Sequence, residues 1–146
     1  MAVTDTQSTA GRPNWAIGGL ELAAAATAHA SAATTTGTSV FAGRGLYWIS
    51  VVATAIEIAS DDEIYGITIE ANTAAATTTY EVIGRLTLGC LQKNGIAFDD
   101  EAGTYGFAVY NASDYQIRYK LVAAGSIGGT GITCGIHAYP IATING

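Results

Sequence analysis

Two acidic triplets, Asp61-Asp62-Glu63 and Asp99-Asp100-Glu101, hold half of the twelve acids in this 146-residue chain. Hard cations such as Ca²⁺ want several carboxylate oxygens. The triplets could supply them if their loops met in space. Neither has the spaced ligands of an EF-hand loop, so the expectation is solvated turn charges that keep strand ends soluble. Paired carboxylates could also cleave a glycosidic bond, given a fixed separation across a sugar-binding cleft. The two tryptophans, Trp15 and Trp48, form no clear platform for a sugar, and Trp48 lies in a run that reads as buried.

The remaining nucleophiles and bases are sparse. Cys90 and Cys134 are the two cysteines, without a CxxC pair or a His/Cys spacing that suits zinc. They read as free buried thiols. His29 sits in an Ala/Thr stretch. His137 follows Cys134 by three residues, which in a strand places the two on opposite faces and disfavours a dyad. No GxSxG nucleophile motif occurs. Gly125-Ser126-Ile127-Gly128-Gly129-Thr130-Gly131 is glycine-rich, but no Lys follows and no helix succeeds it, so it reads as a hairpin connection and not a phosphate loop. These residues predict no catalytic residue, no metal ligand and no cofactor-binding residue.

The elements that carry them follow a period of two. Residues 1–14 read as a flexible or partner-dependent arm, and residues 15–146 as one β-sandwich domain. Trp15 to Leu22 suits a first short strand. The low-complexity run from Ala23 to Thr36 lacks a large apolar anchor and ends in β-branched Thr, so an extended loop or irregular strand is expected, with a short helix as the alternative. Leu46–Ile58 is apolar almost throughout and reads as a strand buried on both faces. Tyr65, Ile67 and Ile69 share one face. After a loop at Asn72–Thr78, Tyr80, Val82, Leu86 and Leu88 face one way, with Gly84 marking a bulge or a close backbone approach. Lys93-Asn94-Gly95 signals a turn. Tyr105, Phe107 and Val109 alternate. Asn111-Ala112-Ser113-Asp114 is a turn. Ile117, Tyr119 and Leu121 alternate against Gln116, Arg118 and Lys120, whose face is expected to be wet. Ile132 to Ala138 forms a last strand stopped by Pro140. Seven or eight short strands without a long amphipathic helix predict an all-β antiparallel sandwich, and a jelly roll fits that number.

Composition narrows the function. Six basic residues against twelve acidic ones give a net charge of −6, and the basic residues do not cluster, which disfavours a nucleic-acid partner. Ala, Thr and Gly together fill 64 positions. Leu22–Gly43 and Leu121–Gly146 contain no Asp, Glu, Lys or Arg. Thr, Ser, Gly, His and Pro interrupt both, so neither is expected to span a membrane. The Met1–Asp5 start has no basic or apolar region of a secretory signal. An uncharged C-terminal stretch suits either a buried strand with a polar tail or a surface covered by a partner, since charge depletion marks interface cores.

The run Gln116-Ile117-Arg118-Tyr119-Lys120-Leu121 followed by Ser126-Ile127-Gly128-Gly129-Thr130-Gly131-Ile132 resembles the ending of small capsid cement (decoration) proteins of tailed bacteriophages. Upstream, Ala59 to Glu70 is similar to the acidic turn of that family, which runs into a Tyr-led strand. The resemblance covers residues 45–140. It implies a jelly-roll subunit on the outer capsid surface that bridges neighbouring major capsid proteins and self-associates as a dimer or trimer. It implies no catalytic residues and no cofactor. The N-terminal arm and the extra residues at 92–104 depart from the family pattern.

Overall fold

The computed structural model describes residues 19–73, 76–93, 96–113 and 115–143. Among these, every regular element is a strand. In chain order they are β1 (Leu20–His29), β2 (Thr34–Thr36), β3 (Val40–Phe41), β4 (Gly45–Ile56), β5 (Ile64–Thr73), β6 (Ala76–Lys93), β7 (Ile96–Asp99), β8 (Gly103–Asn111), β9 (Gln116–Ala124) and β10 (Ile132–Thr143). A four-stranded sheet has the order β1-β10-β4-β8. A second sheet has the order β2-β9-β5-β6-β7, with β3 beside β2 on the edge of β9. All pairings are antiparallel. The pairs nest: β5 with β6, β4 with β8, β2 and β3 with β9, and β1 with β10. The chain is therefore one long hairpin folded over itself into two layers, which makes it the all-β antiparallel sandwich that the period-two pattern predicts.

The inner faces carry the core. Tyr47, Ile49 and Val51 of β4, Tyr65, Ile67 and Ile69 of β5, Ile117 and Leu121 of β9, and Ile132, Cys134 and Ile136 of β10 are fully buried between the layers. Removing such side chains from water at roughly 25 cal/mol per Å² is the main favourable term. The buried tyrosine hydroxyls are satisfied by backbone: Tyr47 donates to the Gly43 carbonyl at 2.7 Å and Tyr65 to the Glu57 carbonyl at 2.9 Å. Burial pushes both phenols up to about 12.

The arm at 1–14 and the start of the Trp15–Leu22 strand lie outside the described residues, and β1 begins at Leu20. The Ala/Thr run is an irregular strand, as expected, then a short loop and the three residues of β2, and the helix alternative falls away. Its pairing with β10 slips between Glu21 and Thr27, where Ala26 has a φ of 58°. There the β1 backbone comes so close to β10 that a Cβ on Gly135 would lie 2.9 Å from the Ala25 Cα, so glycine at 135 is a packing requirement. Other expectations are corrected. β4 is buried on one face, not two. β5 and β6 extend through most of the expected 72–78 loop. In β6 the register slips opposite Ile69 and Glu70, so Val82 turns outward while Ile83 packs on the core. Gly84 faces Val109 of the opposite layer, where a Cβ would stand 2.4 Å from the valine methyl. Pro140 does not stop β10. Pairing with β1 ends at Ala138, so the missing N–H at Pro140 falls where β10 has β4 as its described partner, and the strand passes it with a register slip.

Candidate functional site

The period of two sends alternate residues of β4, β8 and β10 outward, and these form a surface almost without charge. Cross-strand partners on it are Trp48 with Tyr139 and Ala108, Leu46 with Tyr110, and Ser50 with His137 and Gly106. Leu46, Trp48, Val52, Tyr110, Tyr139 and Ile141 are all exposed there, Trp48 at 45% and Tyr110 at 47%. Two glycines shape it. A Cβ on Gly106 would lie 2.3 Å from Cζ2 of Trp48, so the indole rests on the backbone of β8 in place of a side chain. Gly19, at a φ of +83°, receives the Tyr139 ring in the same way. His137 stacks on Tyr139 with centroids 6.3 Å apart and approaches Glu21 at 3.8 Å. Glu21 is the one Asp, Glu, Lys or Arg in the four strands of this sheet. Exposed aromatic residues without flanking charge are the composition of an interface core.

The period-two reading missed this surface. β4 is apolar on both faces, and an apolar run cannot distinguish a doubly buried strand from one whose outer face awaits a partner. The available signal was the uncharged C-terminal stretch, which supplies β10 and with it Tyr139 and Ile141.

The outward face of the second sheet is built differently. Arg118 donates from Nε to Glu70 Oε1 at 2.9 Å and lays its guanidinium over the Tyr80 ring, 3.6 Å from the centroid. The Tyr80 hydroxyl meets Ser39 Oγ, and Asn72 Nδ2 donates to that hydroxyl at 3.4 Å and to Gln116 Oε1 at 3.2 Å. Arg118, expected to be a wet-face charge, is thus locked in a part-buried network.

The acidic triplets meet, contrary to the expectation of independent solvated turns. β6 lies between them: the Cys90 amide donates to the Glu63 carbonyl at 2.8 Å, and the Gly89 amide donates to Asp100 Oδ2 at 3.0 Å. Glu63 is fully buried. It accepts from the Ser60 amide at 2.8 Å, the Asp62 amide at 3.2 Å and the Cys90 thiol at 3.4 Å. Burial pushes the Glu63 carboxyl up, and the amides of Ser60, Glu63 and Asp62 with the Cys90 thiol more than reverse this, leaving it below its ordinary value. Burial and the Glu63 carboxylate push the Cys90 thiol up to about 11, so it is a protonated donor. Asp61, Cys90 and Asp99 bring one ligand atom each to within 4.8 Å of one another. The two carboxylates are exposed, and the thiol between them is engaged with Glu63.

The glycine-rich connection does cradle an anion, and the anion is a side chain of this chain. The amides of Gly128, Thr130 and Gly131 all donate to the Glu57 carboxylate. Asp62 accepts from both the amide and the hydroxyl of Ser126 at 2.8 Å. These contacts hold both carboxyls below their ordinary values, the Gly131 amide contributing most at Glu57 and the Ser126 amide most at Asp62. The loop amides are therefore occupied.

His137 and Cys134 fall on opposite sides of the four-stranded sheet, and His29 shares the inner side with Cys134. Cys134 is buried in the core, where burial raises its thiol to about 11, while His137 lies on the outward face. His29 is buried on the inner side, edge-on to Tyr119, and its Nε2 has no hydrogen-bond partner. A groove of about 400 Å³ runs along the open side of the sandwich between β1 and β2–β3, lined among others by Glu21, Leu22, Thr27, Gly37, Val40 and Tyr119. No helix of the described residues is long and apolar enough to cross a membrane. Compared with known proteins, the chain matches no family model and no curated protein.

Proposed function

We propose that this chain is a virion structural protein: a capsid cement or decoration subunit that sits on the outer capsid surface and bridges neighbouring major capsid proteins. The observation that carries this reading is the outward face of β10, β4 and β8, where Leu46, Trp48, Tyr110, Tyr139 and Ile141 are exposed together and charge is nearly absent. Such a face suits a large, preformed protein surface. Buried aromatic anchors supply most of the free energy of that kind of contact. The strand order β1-β10-β4-β8 against β2-β9-β5-β6, with nested pairs, supports a jelly roll, an architecture used by viral capsid domains and lectins. The order of motifs from Ala59 to Ile132 adds its resemblance to the cement family.

The physics of the task fits these features. A cement subunit adds interface between shell proteins that internal pressure drives apart, and each bound copy shifts the balance toward the intact shell by mass action. A net charge of −6 suits the outside of a particle better than its DNA-filled lumen. Within this reading the protein transforms no substrate and needs no cofactor. The test is co-sedimentation of the purified chain with assembled shells that lack it, followed by heating. Binding and a raised rupture temperature are expected. Shells that neither retain the chain nor gain resistance overturn the proposal.

One observation favours a second reading, a carbohydrate-binding module. The exposed Trp48 indole rests on Gly106 next to the strand that carries Tyr139, as a platform for a flat sugar face. A glycan-binding screen separates the two: selective retention of a saccharide, lost in Trp48→Ala, with no affinity for shells supports the module.

A further inference from the structure

β1 is an edge of the four-stranded sheet: it pairs with β10, and among the described residues no strand lies along its free side. The groove of about 400 Å³ opens beside it, walled by residues 21–24 and Thr27 of β1 and by Thr36, Gly37, Val40 and Tyr119 from the other layer. A free edge presents N–H and C=O groups that accept another strand. A groove behind such an edge also takes alternate side chains of the added strand, which is the arrangement of strand addition.

We propose that the occupant is the chain's own segment 14–17: it turns back at Gly18-Gly19, lies antiparallel along the free edge of β1 and seats Trp15 in the groove. Ile17-Gly18-Gly19-Leu20 is the signature of a two-residue hairpin. Gly19 has a φ of +83°, in the left-handed region that both central positions of a type I′ turn require. A strand running straight on beside β10 would need extended backbone there. β10 fills the other side of β1 and continues past the last β1 pair, Leu20 with Ala138, to Thr143, so a return leads to the free side. The two-residue turn then fixes the register: Ile17 opposite Leu20, Ala16 opposite Glu21 and Trp15 opposite Leu22. Directly opposite residues share a face. Leu20 packs against the core and Leu22 is buried, whereas Glu21 is exposed. Ile17 and Trp15 therefore point inward and Ala16 outward, which matches their polarity. Trp15 meets the groove beside Leu22, one of its walls. Pro13, with no N–H to give, falls opposite Ala24, where the pairing of β1 with β10 also slips. The segment 14–17 is uncharged and tethered next to its site, which favours it over a second copy at ordinary concentrations. This closure concerns the fold's own edge and holds whether or not the chain binds a shell.

The experiment pairs hydrogen exchange of the unaltered full chain with indole quenching. Amides of residues 21–24 that point away from β10 should be protected. The chain has two tryptophans, so Trp48→Phe leaves Trp15 as the reporter. Its emission should be that of a shielded indole, weakly quenched by iodide, and the same from about 1 to 100 μM, as a contact within one chain requires. Gly18→Val puts a side chain where the turn needs a left-handed backbone, and should expose the indole to iodide. In Gly18→Val and in Trp15→Ser the free-side amides of residues 21–24 should exchange about tenfold faster than in the parent. Circular dichroism confirms that each variant is folded, and exchange of the unaltered chain carries the test if a variant is not. Unprotected amides in the parent, or an indole as open to iodide as the free amino acid, overturns the proposal. So does shielding that appears only at high concentration, which assigns the groove to another copy's segment, or shielding that Gly18→Val leaves intact.

Discussion

The two layers of this sandwich follow the same alternation and treat their solvent faces in opposite ways. The outer face of the second sheet ties its polar groups to one another: Glu70 to Arg118, Arg118 to the Tyr80 ring, Tyr80 to Ser39, and Asn72 to Gln116. The outer face of the four-stranded sheet leaves Trp48, Tyr110, Tyr139 and Ile141 exposed, with Glu21 as the single charged residue in its strands. The outer face of the second sheet also exposes Ile64, Val82 and Val122, but among polar groups that pair within the chain, whereas the four-stranded sheet has almost no such pairing beside its exposed aromatics. Under the proposed function, the first face serves stability and the second association.

The largest effect should therefore come from the exposed aromatic face and appear chiefly in binding. Trp48→Ser combined with Tyr139→Ser removes two exposed aromatic anchors, and affinity for shells should fall by about 3 kcal/mol, on the order of a hundredfold. The unfolding midpoint in urea should fall as well, because each ring also rests on its sheet at Gly106 or Gly19, so binding is read on the folded fraction. If the double variant binds as well as the parent, the face is not the docking surface and the comparison collapses.

The mirror experiment is the next largest. Glu70→Ala leaves the Arg118 guanidinium part-buried beneath its neighbours without the carboxylate, and should cost about 2 kcal/mol of stability. Shell binding by the folded fraction should be unchanged. A loss of binding at constant stability would place association on the wrong face.

A smaller effect concerns acid. Glu57, Asp62 and Glu63 all titrate below their ordinary values in the folded chain, held by the amides of Gly131, Gly128 and Thr130, by Ser126, and by the amides and thiol around Glu63. A depressed carboxyl stabilises the fold above its unfolded pKa, and that contribution disappears as the pH falls through the folded value. The carboxylate contribution to stability should be level down to about pH 5 and then decline. Glu57→Gln should flatten the decline and loosen the 125–131 connection, visible as faster exchange of the Gly128, Thr130 and Gly131 amides. An unaltered acid profile would mean that the loop does not depend on its carboxylate.

Where alternation was clean, the fold was legible. β9 shows buried Ile117, Tyr119 and Leu121 between partly exposed Gln116, Arg118 and Lys120, as its sequence indicates. The all-β class followed from such strands. The exposed apolar face was not legible, because Leu46, Trp48 and Val52 are the residue types of a core and their exposure is a property of the assembly of strands. The buried Glu63 was hidden for the opposite reason. A carboxylate in an acidic turn reads as solvated, and the donors that make its burial tolerable come from Ser60, Asp62 and a cysteine 27 positions away. The Ala/Thr run escaped a firm assignment because its strand is specified by a partner: β10 supplies the hydrogen bonds, and Gly135 makes room for the Ala25 backbone.

The smallest effect lies between the two faces, at His29. It is the inward counterpart of His137 on the same sheet, packed edge-on to Tyr119 with Nε2 unpaired. Desolvation lowers its pKa below the ordinary 6.5, so the folded chain keeps it neutral. The sign follows from the protons bound. As the pH falls through 6.5 the unfolded chain takes up a proton that the folded chain refuses, so folding weakens from that point until the folded histidine titrates in turn. His29→Phe keeps the edge contact and removes both the orphaned nitrogen and the proton uptake. It should raise stability by about 1 kcal/mol near neutral pH and abolish the decline just below pH 6.5, leaving the carboxylate decline at lower pH in place. Shell affinity should not change, since His29 belongs to neither outer face. A variant that gains nothing and keeps the same slope below pH 6.5 would show that the nitrogen is solvated and that the seam between β1 and β9 is open to water.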